Sequence, residues 1–245
     1  MSFREALSMS ECVSVIAVVE GRTEQRFVEE VLAPYLANRG VYMTATQVRK
    51  KGQNGGDVRF ARVRTMVHHF LKQRSDTIVV SFVDYYGISE WPALDEVRRM
   101  ANASPCSLAE KLNSAAIAEV QSELVDVDVS KRYIPFMAVH EFESLLFSDA
   151  NVLSSELGIP LQTISATLAE CGSPELINNH PETAPSKRLE KWTGGRYRKT
   201  TQGIVIAQKI GVDAMRKACP NFDDWLLKVE AFRQPRPQVG LGARR

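Results

Sequence analysis

The sequence predicts an α/β fold in which a mostly parallel, Rossmann-like sheet is flanked by helices and followed by a helical C-terminal extension. Three observations support this prediction. Runs of β-branched residues alternate with longer amphipathic segments over the first two thirds of the chain, as in βαβ units. Each run is about seven residues long, which suits a buried strand. The chain contains no internal repeat or low-complexity tract that would indicate another architecture.

The first strand and helix are predicted directly from the apolar pattern. Residues 13–19 are apolar and mostly β-branched, so they predict a buried strand. Apolar residues then recur at helical spacing until Gly40, and we expect Thr23 to cap this helix. Residues 41–48 predict a second strand. The glycine- and lysine-rich segment 50–56 predicts a loop.

The next elements continue the alternation of helices and strands. A helix over residues 58–73 leads to a third strand at residues 77–83. Two helical segments follow at residues 93–101 and 106–122, and a fourth strand is predicted at residues 132–139. Beyond them the sequence predicts short helices broken by glycine and proline, with a weak strand signal at residues 203–207.

The predicted organisation has three parts. We expect an α/β domain over residues 11–150, a basic helical extension over 151–232 that packs on it, and a flexible tail over 233–245. Residues 1–180 contain 17 basic and 23 acidic residues, whereas residues 181–245 contain 14 and 6. An acidic body with a basic C-terminal quarter suits a protein that holds cations in one part and faces phosphates with the other. A solvated basic helix surface is the alternative.

Composition excludes several classes of protein. The chain is 44% hydrophobic and 24% charged, which is typical of globular proteins and not of disordered or collagenous ones. Its longest apolar runs are far shorter than the roughly 20 residues of a membrane helix. The four cysteines are widely separated, which favours reduced thiols over a zinc site or disulfides. With no secretory signal in the sequence, we expect a cytoplasmic protein without membrane contact.

Acidic residues follow three of the predicted strands at the point where each strand ends. Glu20 follows the first strand, Asp84 the third, and Glu141 and Glu143 the fourth. Because the carboxyl ends of parallel strands meet at one edge of a sheet, we expect these acids to converge, joined by Glu24 from the first helical turn. Such a cluster suits one or two Mg²⁺ or Mn²⁺ ions. The alternative is that each acid serves a helix N-terminus or a loop ion pair.

A basic stretch in the C-terminal quarter is the candidate nucleic-acid surface. Six of the 13 residues from 187 to 199 are basic, and Trp192 and Tyr197 lie among them, which suits phosphate contacts with base stacking. We expect Lys199 to be the catalytic cation. The other five are expected to bind nucleic acid: Lys187, Arg188, Lys191, Arg196 and Arg198. The alternative is a solvated helix end with Trp192 in the core.

Four sequence motifs resemble one known family. They are VEGRTE at residues 19–24, VDYYG at 83–87, HEFESLLF at 140–147 and PSKRL at 185–189. In this order they look like the TOPRIM-like domain-of-unknown-function family 4276, which is related to the TOPRIM domain of the overcoming-lysogenization-defect (OLD) family of nucleases. The resemblance spans about residues 15–225 and implies a TOPRIM-like form of the α/β fold.

The resemblance implies a metal-dependent nuclease. Glu20 matches the TOPRIM glutamate that binds metal or acts as general acid or base, and Glu24 matches a further metal ligand of OLD-type nucleases. Asp84 matches the first aspartate of an Asp-x-Asp motif, whereas Tyr86 replaces the second. The two glutamates after the fourth strand are candidates to compensate. TOPRIM-like proteins of this type commonly work with an ATPase in bacterial anti-phage defence, and this chain has no P-loop motif, so a partner ATPase is expected.

Two other functions stay open on the sequence alone. The first is a catalytically degenerate TOPRIM-like module that binds nucleic acid or docks on an ATPase, which the presence of Tyr86 favours. The second is a hydrolase of nucleotides or other small phosphate esters, which would use the same metals but show little salt dependence. The segment 50–56 is either a substrate-side loop or an ordinary surface turn.

Overall fold

The computed structural model of the protein describes residues 13–48, 58–100, 103–139, 141–177 and 182–232. Its strands are β1 (Val13–Val19), β2 (Val41–Gln47), β3 (Val58–Arg59), β4 (Thr77–Asp84), β5 (Ile88–Glu90) and β6 (Tyr133–Ala138). Four of them form one parallel sheet in the order β2-β1-β4-β6, and β3 pairs with β5 in a separate parallel pair. All eight residues of β4 are buried, because it is an inner strand with both faces covered.

Eleven α-helices lie within the described residues. They are α1 (Arg22–Phe27), α2 (Ala33–Ala37), α3 (Phe60–Gln73), α4 (Leu94–Arg98), α5 (Pro105–Glu123), α6 (Ala150–Leu157), α7 (Leu161–Cys171), α8 (Pro185–Trp192), α9 (Ile204–Ile210), α10 (Val212–Ala218) and α11 (Pro220–Glu230). A π-helical segment, Val28–Leu32, joins α1 to α2, and a second, Lys199–Gly203, precedes α9. Short 3₁₀ segments include Tyr85–Gly87 after β4 and Phe142–Ser148 after β6.

The two faces of the sheet bury two separate hydrophobic clusters. Val19 faces α1, α2 and the helices that follow β6, whereas its neighbour Val18 faces α3 and α5. This alternation is the two-residue period of a strand. The C-terminal helices share their core with the sheet: the Trp225 ring stacks on Phe136 of β6 with centroids 4.9 Å apart. The basic C-terminal part is therefore held against the sheet by apolar packing.

The α/β class, the parallel sheet and its flanking helices are confirmed. The four predicted strands are present, each within one residue of its expected bounds. The weak strand signal at residues 203–207 is wrong, because these residues belong to the π-helical segment and α9, and Gly203 has helical dihedrals. The sequence also missed β3 and β5, which have two and three residues and give no readable periodicity.

The predicted cap of the first helix is also wrong. α1 begins at Arg22 after Gly21, and no side chain caps its first amide groups. Thr23 lies inside the helix instead, where its hydroxyl contacts the hydroxyl of Thr200 at 3.3 Å. The predicted loop at residues 50–56 and the tail at 233–245 lie outside the described residues. No helix within the described part of the chain is long and apolar enough to cross a membrane.

Candidate active site

Three acidic side chains from separate parts of the chain surround one lysine. Glu24 lies in the first turn of α1, Asp84 ends β4, and Glu143 lies in the 3₁₀ segment after β6. The Nζ atom of Lys199 is 3.1 Å from Oε2 of Glu143. The same atom is 3.8 Å from both Oδ2 of Asp84 and Oε1 of Glu24. We refer to these four residues as the Lys199 cluster.

The topology of the sheet explains why the acids meet. β1, β4 and β6 are parallel neighbours, so their carboxyl ends lie at one edge, where ligand sites of open α/β sheets are found. Asp84 is the last residue of β4, Glu143 follows β6, and Glu24 lies on the helix that starts after β1 ends. Lys199 comes from the C-terminal part, at the first residue of the π-helical segment. The predicted convergence at the strand ends is therefore present for these three acids, together with the predicted lysine.

The Lys199 cluster contains more negative than positive charge in a buried place. The side chains of Glu24, Asp84 and Glu143 are 6%, 10% and 0% exposed, whereas that of Lys199 is 36% exposed. Within the described residues, Oδ1 of Asp84 and Oε1 of Glu143 are buried without a hydrogen-bond partner. Buried carboxylates in this state are costly to maintain, which makes them more typical of functional sites than of ordinary structure.

Burial shifts the protonation of the cluster. Burial raises the pKa of Asp84 well above its ordinary value; Lys199 opposes this shift, and the neighbouring carboxylates add to it. Burial likewise raises the pKa of Glu143, again with Lys199 acting in the opposite direction. For Lys199, burial lowers the pKa, but the surrounding carboxylates raise it more, so its pKa lies well above the ordinary value. The ammonium therefore stays charged at neutral pH.

Glu20 lies beside the Lys199 cluster, against the backbone of Gly87. A Cβ atom at Gly87 would lie 2.9 and 3.0 Å from the two carboxylate oxygens of Glu20, so glycine is needed for this close approach. Burial is the main cause of the raised Asp84 pKa, which Lys199 opposes, and the charges of Glu24 and Glu20 raise this pKa further. The structure thus brings four of the five predicted acids together.

Glu141, the fifth predicted acid, differs from the others. Its Oε2 atom accepts a hydrogen bond from the backbone amide of Ser186 at 2.9 Å, and its Oε1 atom accepts one from the Ser186 hydroxyl at 3.0 Å. Ser186 lies in the first turn of α8, where amide groups lack helical partners. The geometry therefore places this carboxylate at the start of the basic helix and not on Lys199.

The backbone that carries Lys199 is held against α1. Arg26 donates from Nη1 to the carbonyl oxygen of Thr200 at 2.5 Å. The guanidinium is itself held by Glu30 through Nε–Oε1 and Nη2–Oε2 contacts of 2.6 and 3.0 Å. The sequence gives no signal that singles out Arg26, because its i,i+4 spacing to Glu30 is that of an ordinary surface ion pair of a helix.

The basic residues expected to bind nucleic acid have different surroundings. Lys187 is exposed and forms an ion pair with Glu190 at 2.8 Å. Arg188 is half-buried and donates to the carbonyl oxygen of Thr183 at 2.8 Å, so it stabilises the local structure. Arg198 is exposed but donates to two nearby main-chain oxygens. Each of these three has a protein partner that a phosphate would have to displace or share.

Lys191 and Arg196 are more accessible to a phosphate group. Both are exposed, and neither forms an ion pair with any residue that the structure describes. Trp192 is half-buried and packs on the core near Phe147, with ring centroids 6.1 Å apart, as the alternative interpretation expected. Tyr197 is 5% exposed and cannot stack on a base, which corrects its expected role. Its burial, followed by the charge of Glu143, raises the pKa of its phenol.

The donor set of the cluster fits a hard divalent cation. Carboxylate oxygens are the ligands that Mg²⁺ and Mn²⁺ prefer, and Oδ1 of Asp84 and Oε1 of Glu143 are buried without a hydrogen-bond partner within the described residues. As the described side chains stand, no three of His, Cys, Asp or Glu are grouped closely enough to hold a metal ion. The Lys199 ammonium lies among them instead. Glu24, Asp84 and Glu143 are the residues that would hold a cation here, with Glu20 beside them.

Comparison with known proteins gives a family. The family described as "Domain of unknown function (DUF4276)" matches residues 19–230, a range that contains the whole Lys199 cluster and Glu20. No curated protein and no solved structure matches the chain significantly. Because the match covers most of the 245 residues, the chain belongs to the DUF4276 family.

Proposed function

We propose that the protein is a metal-dependent nuclease that hydrolyses phosphodiester bonds of DNA or RNA. The observation that carries this proposal is the charge imbalance of the Lys199 cluster: three buried carboxylates surround a single ammonium. Burying unbalanced charge costs free energy that a purely structural site would avoid. A divalent cation with oxygen ligands would restore the balance.

Each residue of the site has its own chemical role in this proposal. Glu24, Asp84 and Glu143 would hold a Mg²⁺ or Mn²⁺ ion, which would make a water molecule nucleophilic and neutralise charge on the phosphate. Glu20, half-buried at the end of β1, would accept a proton from that water. Lys199 would contribute positive charge to the phosphate oxygens as the transition state forms.

The basic C-terminal part would bind the polymer. Lys191 and Arg196 are exposed on and after α8, whose first turn is held by Glu141 next to the acids. Lys187, Arg188 and Arg198 lie on the same stretch of chain and would add to its positive potential. Contacts of this kind recognise the phosphate backbone and not the base sequence.

The wider context of the proposal follows from the sequence motifs. Their order and the strand-end acids support a relationship to TOPRIM nucleases. We propose that the protein acts in the cytoplasm as the nuclease subunit beside a partner ATPase in anti-phage defence. The resemblance of the motifs to TOPRIM-like proteins that work with an ATPase supports this context, and the sequence contains no P-loop motif of its own.

The test is metal-dependent cleavage. Wild type and Asp84→Asn are incubated with plasmid DNA, single-stranded DNA and RNA in Mg²⁺, Mn²⁺ or EDTA, with and without any genetically linked ATPase. Asp95→Asn is the matched control, because it makes the same chemical change at a side chain that is 91% exposed. We expect cleavage by wild type and Asp95→Asn only when metal is present, and a loss of at least 100-fold in Asp84→Asn.

The alternatives give different results. Binding of nucleic acid without cleavage in any combination would favour the degenerate binding module, for which the half-exposed Tyr86 in place of a second aspartate is the specific observation. Metal-dependent hydrolysis of mononucleotides without cleavage of polymers would favour a small phosphate-ester hydrolase. Cleavage that survives unchanged in Asp84→Asn would reject the Lys199 cluster as the active site.

A further inference from the structure

We propose that Lys199 is an exchangeable cation: its ammonium balances the buried carboxylates when no divalent cation is bound, and it leaves them when one binds. The inference rests on the proposed function, because it concerns the same carboxylates. It adds which positive charge occupies the cluster in each state and how the lysine becomes available to substrate.

The contacts of Lys199 are those of a shared counter-ion. Only the 3.1 Å contact with Glu143 has the length of a hydrogen bond, and the two contacts of 3.8 Å are longer than the usual range. An ammonium has three donors, whereas three carboxylates offer many more acceptor positions. Two of those acceptors, Oδ1 of Asp84 and Oε1 of Glu143, have no hydrogen-bond partner among the described residues. The cluster therefore retains acceptor capacity that Lys199 does not use.

The side chain of Lys199 is exposed enough to leave the cluster. Its side chain is 36% exposed, whereas those of the three acids are 10% exposed or less, so the ammonium reaches the carboxylates from the solvent side. A lysine stem is flexible, with four carbons between the backbone and the charge. Rotation of this stem moves the ammonium to solvent without opening the hydrophobic core.

The backbone of Lys199 is fixed during such an exchange. Arg26 holds the carbonyl oxygen of Thr200, the next residue, and is itself held by Glu30. The hydroxyls of Thr23 and Thr200 are 3.3 Å apart and add a second contact to α1. The exchange therefore needs only side-chain rotation. The displaced ammonium stays within one side-chain length of the site, where a phosphate oxygen can receive it.

Metal affinity tests the competition directly. Mn²⁺ binding is measured by electron paramagnetic resonance for metal-free wild type, Lys199→Met and the control Lys131→Met. Lys131 forms an ion pair with Asp128 just before β6, at the opposite end of the sheet from the cluster. Methionine keeps most of the apolar stem and removes the charge. We expect Lys199→Met to bind Mn²⁺ at least tenfold more tightly than wild type, and Lys131→Met to match wild type.

Labelling of the wild-type protein tests the displacement without a variant. An amine-reactive ester is applied with and without Mg²⁺, and the modification of each lysine is followed by peptide mass spectrometry. We expect Mg²⁺ to increase the labelling rate of Lys199 at least threefold and to leave Lys131 unchanged. This measurement decides the question even if Lys199→Met does not fold.

The outcomes separate this inference from the nuclease proposal. Equal or weaker Mn²⁺ affinity in folded Lys199→Met, or unchanged labelling of Lys199 in protein saturated with Mg²⁺, would overturn the exchange while metal-dependent cleavage still stood. Tighter binding in Lys199→Met without cleavage by either protein would support the exchange and reject the nuclease. Absence of metal binding in both proteins would overturn both.

Discussion

Both carboxylate oxygens of Glu141 accept hydrogen bonds from Ser186, 45 positions further along the chain. One bond comes from the backbone amide and the other from the hydroxyl, so a single acid satisfies two donors at the start of α8. The contact connects the end of the sheet to the helix that carries Lys187 and Lys191. Glu141 therefore has a different partner from Glu143, which lies two residues further along the chain and contacts Lys199.

The Glu141 contact predicts a loss of stability and not of metal binding. Glu141→Ala removes the acceptor of a backbone amide and is expected to lower the free energy of unfolding by about 1–3 kcal/mol. Ser186→Ala removes one of the two bonds and is expected to cost less. Urea unfolding of the single and double variants measures both, and their effects are expected to be non-additive. Fully additive losses, or a Mn²⁺ affinity reduced as much as in Asp84→Asn, would contradict this assignment.

Replacing Asp84 with a neutral residue is expected to stabilise the protein, by an amount that depends on pH. The pKa of Asp84 is raised by burial, so its ionised form is disfavoured in the folded state. At pH 8 without metal, Asp84→Asn is expected to be more stable by about 1 kcal/mol and to melt roughly 2–4 °C higher.

The stability difference between Asp84→Asn and wild type is expected to shrink as the pH falls. As the pH falls through the raised pKa of Asp84, the folded wild type takes up a proton and recovers the lost stability, and the gap closes near the ordinary pKa of about 3.9. Thermal melts in EDTA over this range measure the profile, with Asp95→Asn as the control that stays at wild-type stability. A gap that widens on acidification would show that the assigned shift has the wrong direction.

Any side chain larger than hydrogen at position 203 is expected to conflict with Tyr197. A Cβ atom at Gly203 would lie 2.7 Å from the Tyr197 hydroxyl, although its helical φ of −56° suits alanine. Gly203→Ala is therefore expected to lower stability by about 1–3 kcal/mol, despite the better helix propensity of alanine. Tyr197→Phe alone is expected to cost less than Gly203→Ala, because it removes only the hydroxyl and leaves the buried ring in place.

The double variant is the decisive measurement for this pair. In the Tyr197→Phe background the conflicting oxygen is gone, so Gly203→Ala is expected to cost less than half of its effect in wild type. Denaturant unfolding of the four proteins gives the coupling free energy. An equal cost in both backgrounds would mean that Gly203 is required for a different reason.

The exposed basic residues predict the salt dependence of nucleic-acid binding. Each phosphate contact adds about 0.7–0.9 to the slope of log affinity against log salt concentration. Lys191→Ala and Arg196→Ala are each expected to lower this slope by about 1, measured by fluorescence anisotropy with labelled DNA or RNA. Lys131→Ala is the control and is expected to keep the wild-type slope. If neither variant changes the slope, the polymer binds elsewhere on the protein.

Arg188→Ala is expected to behave differently. Its guanidinium donates to a main-chain oxygen between α7 and α8 and is half-buried, so the substitution removes a structural contact. We expect a lower melting temperature with a nearly unchanged salt slope. A large change of slope at constant stability would return Arg188 to the set of phosphate contacts.

Much of the fold was accessible from the sequence because its signals are local. The apolar runs of β1 and β4 are long enough to be recognised, and parallel strands bring their carboxyl ends to one edge. This geometry was sufficient to predict the meeting of Glu24, Asp84 and Glu143. The strand prediction at residues 203–207 was wrong because β-branched residues also pack well in a buried helix. In this case α9 packs its apolar residues into the core.

The tertiary structure alone decided how the acids are partnered. Glu141 and Glu143 look equivalent in the sequence, yet one contacts Ser186 and the other Lys199, because the chain turns into a 3₁₀ segment between them. Arg26 belongs to the site through its contact with Thr200, which is 174 positions away in the sequence. The physical reason is that strand ends are set by local apolar patterns, whereas the partner of a buried charge is set by whichever distant segment packs against it.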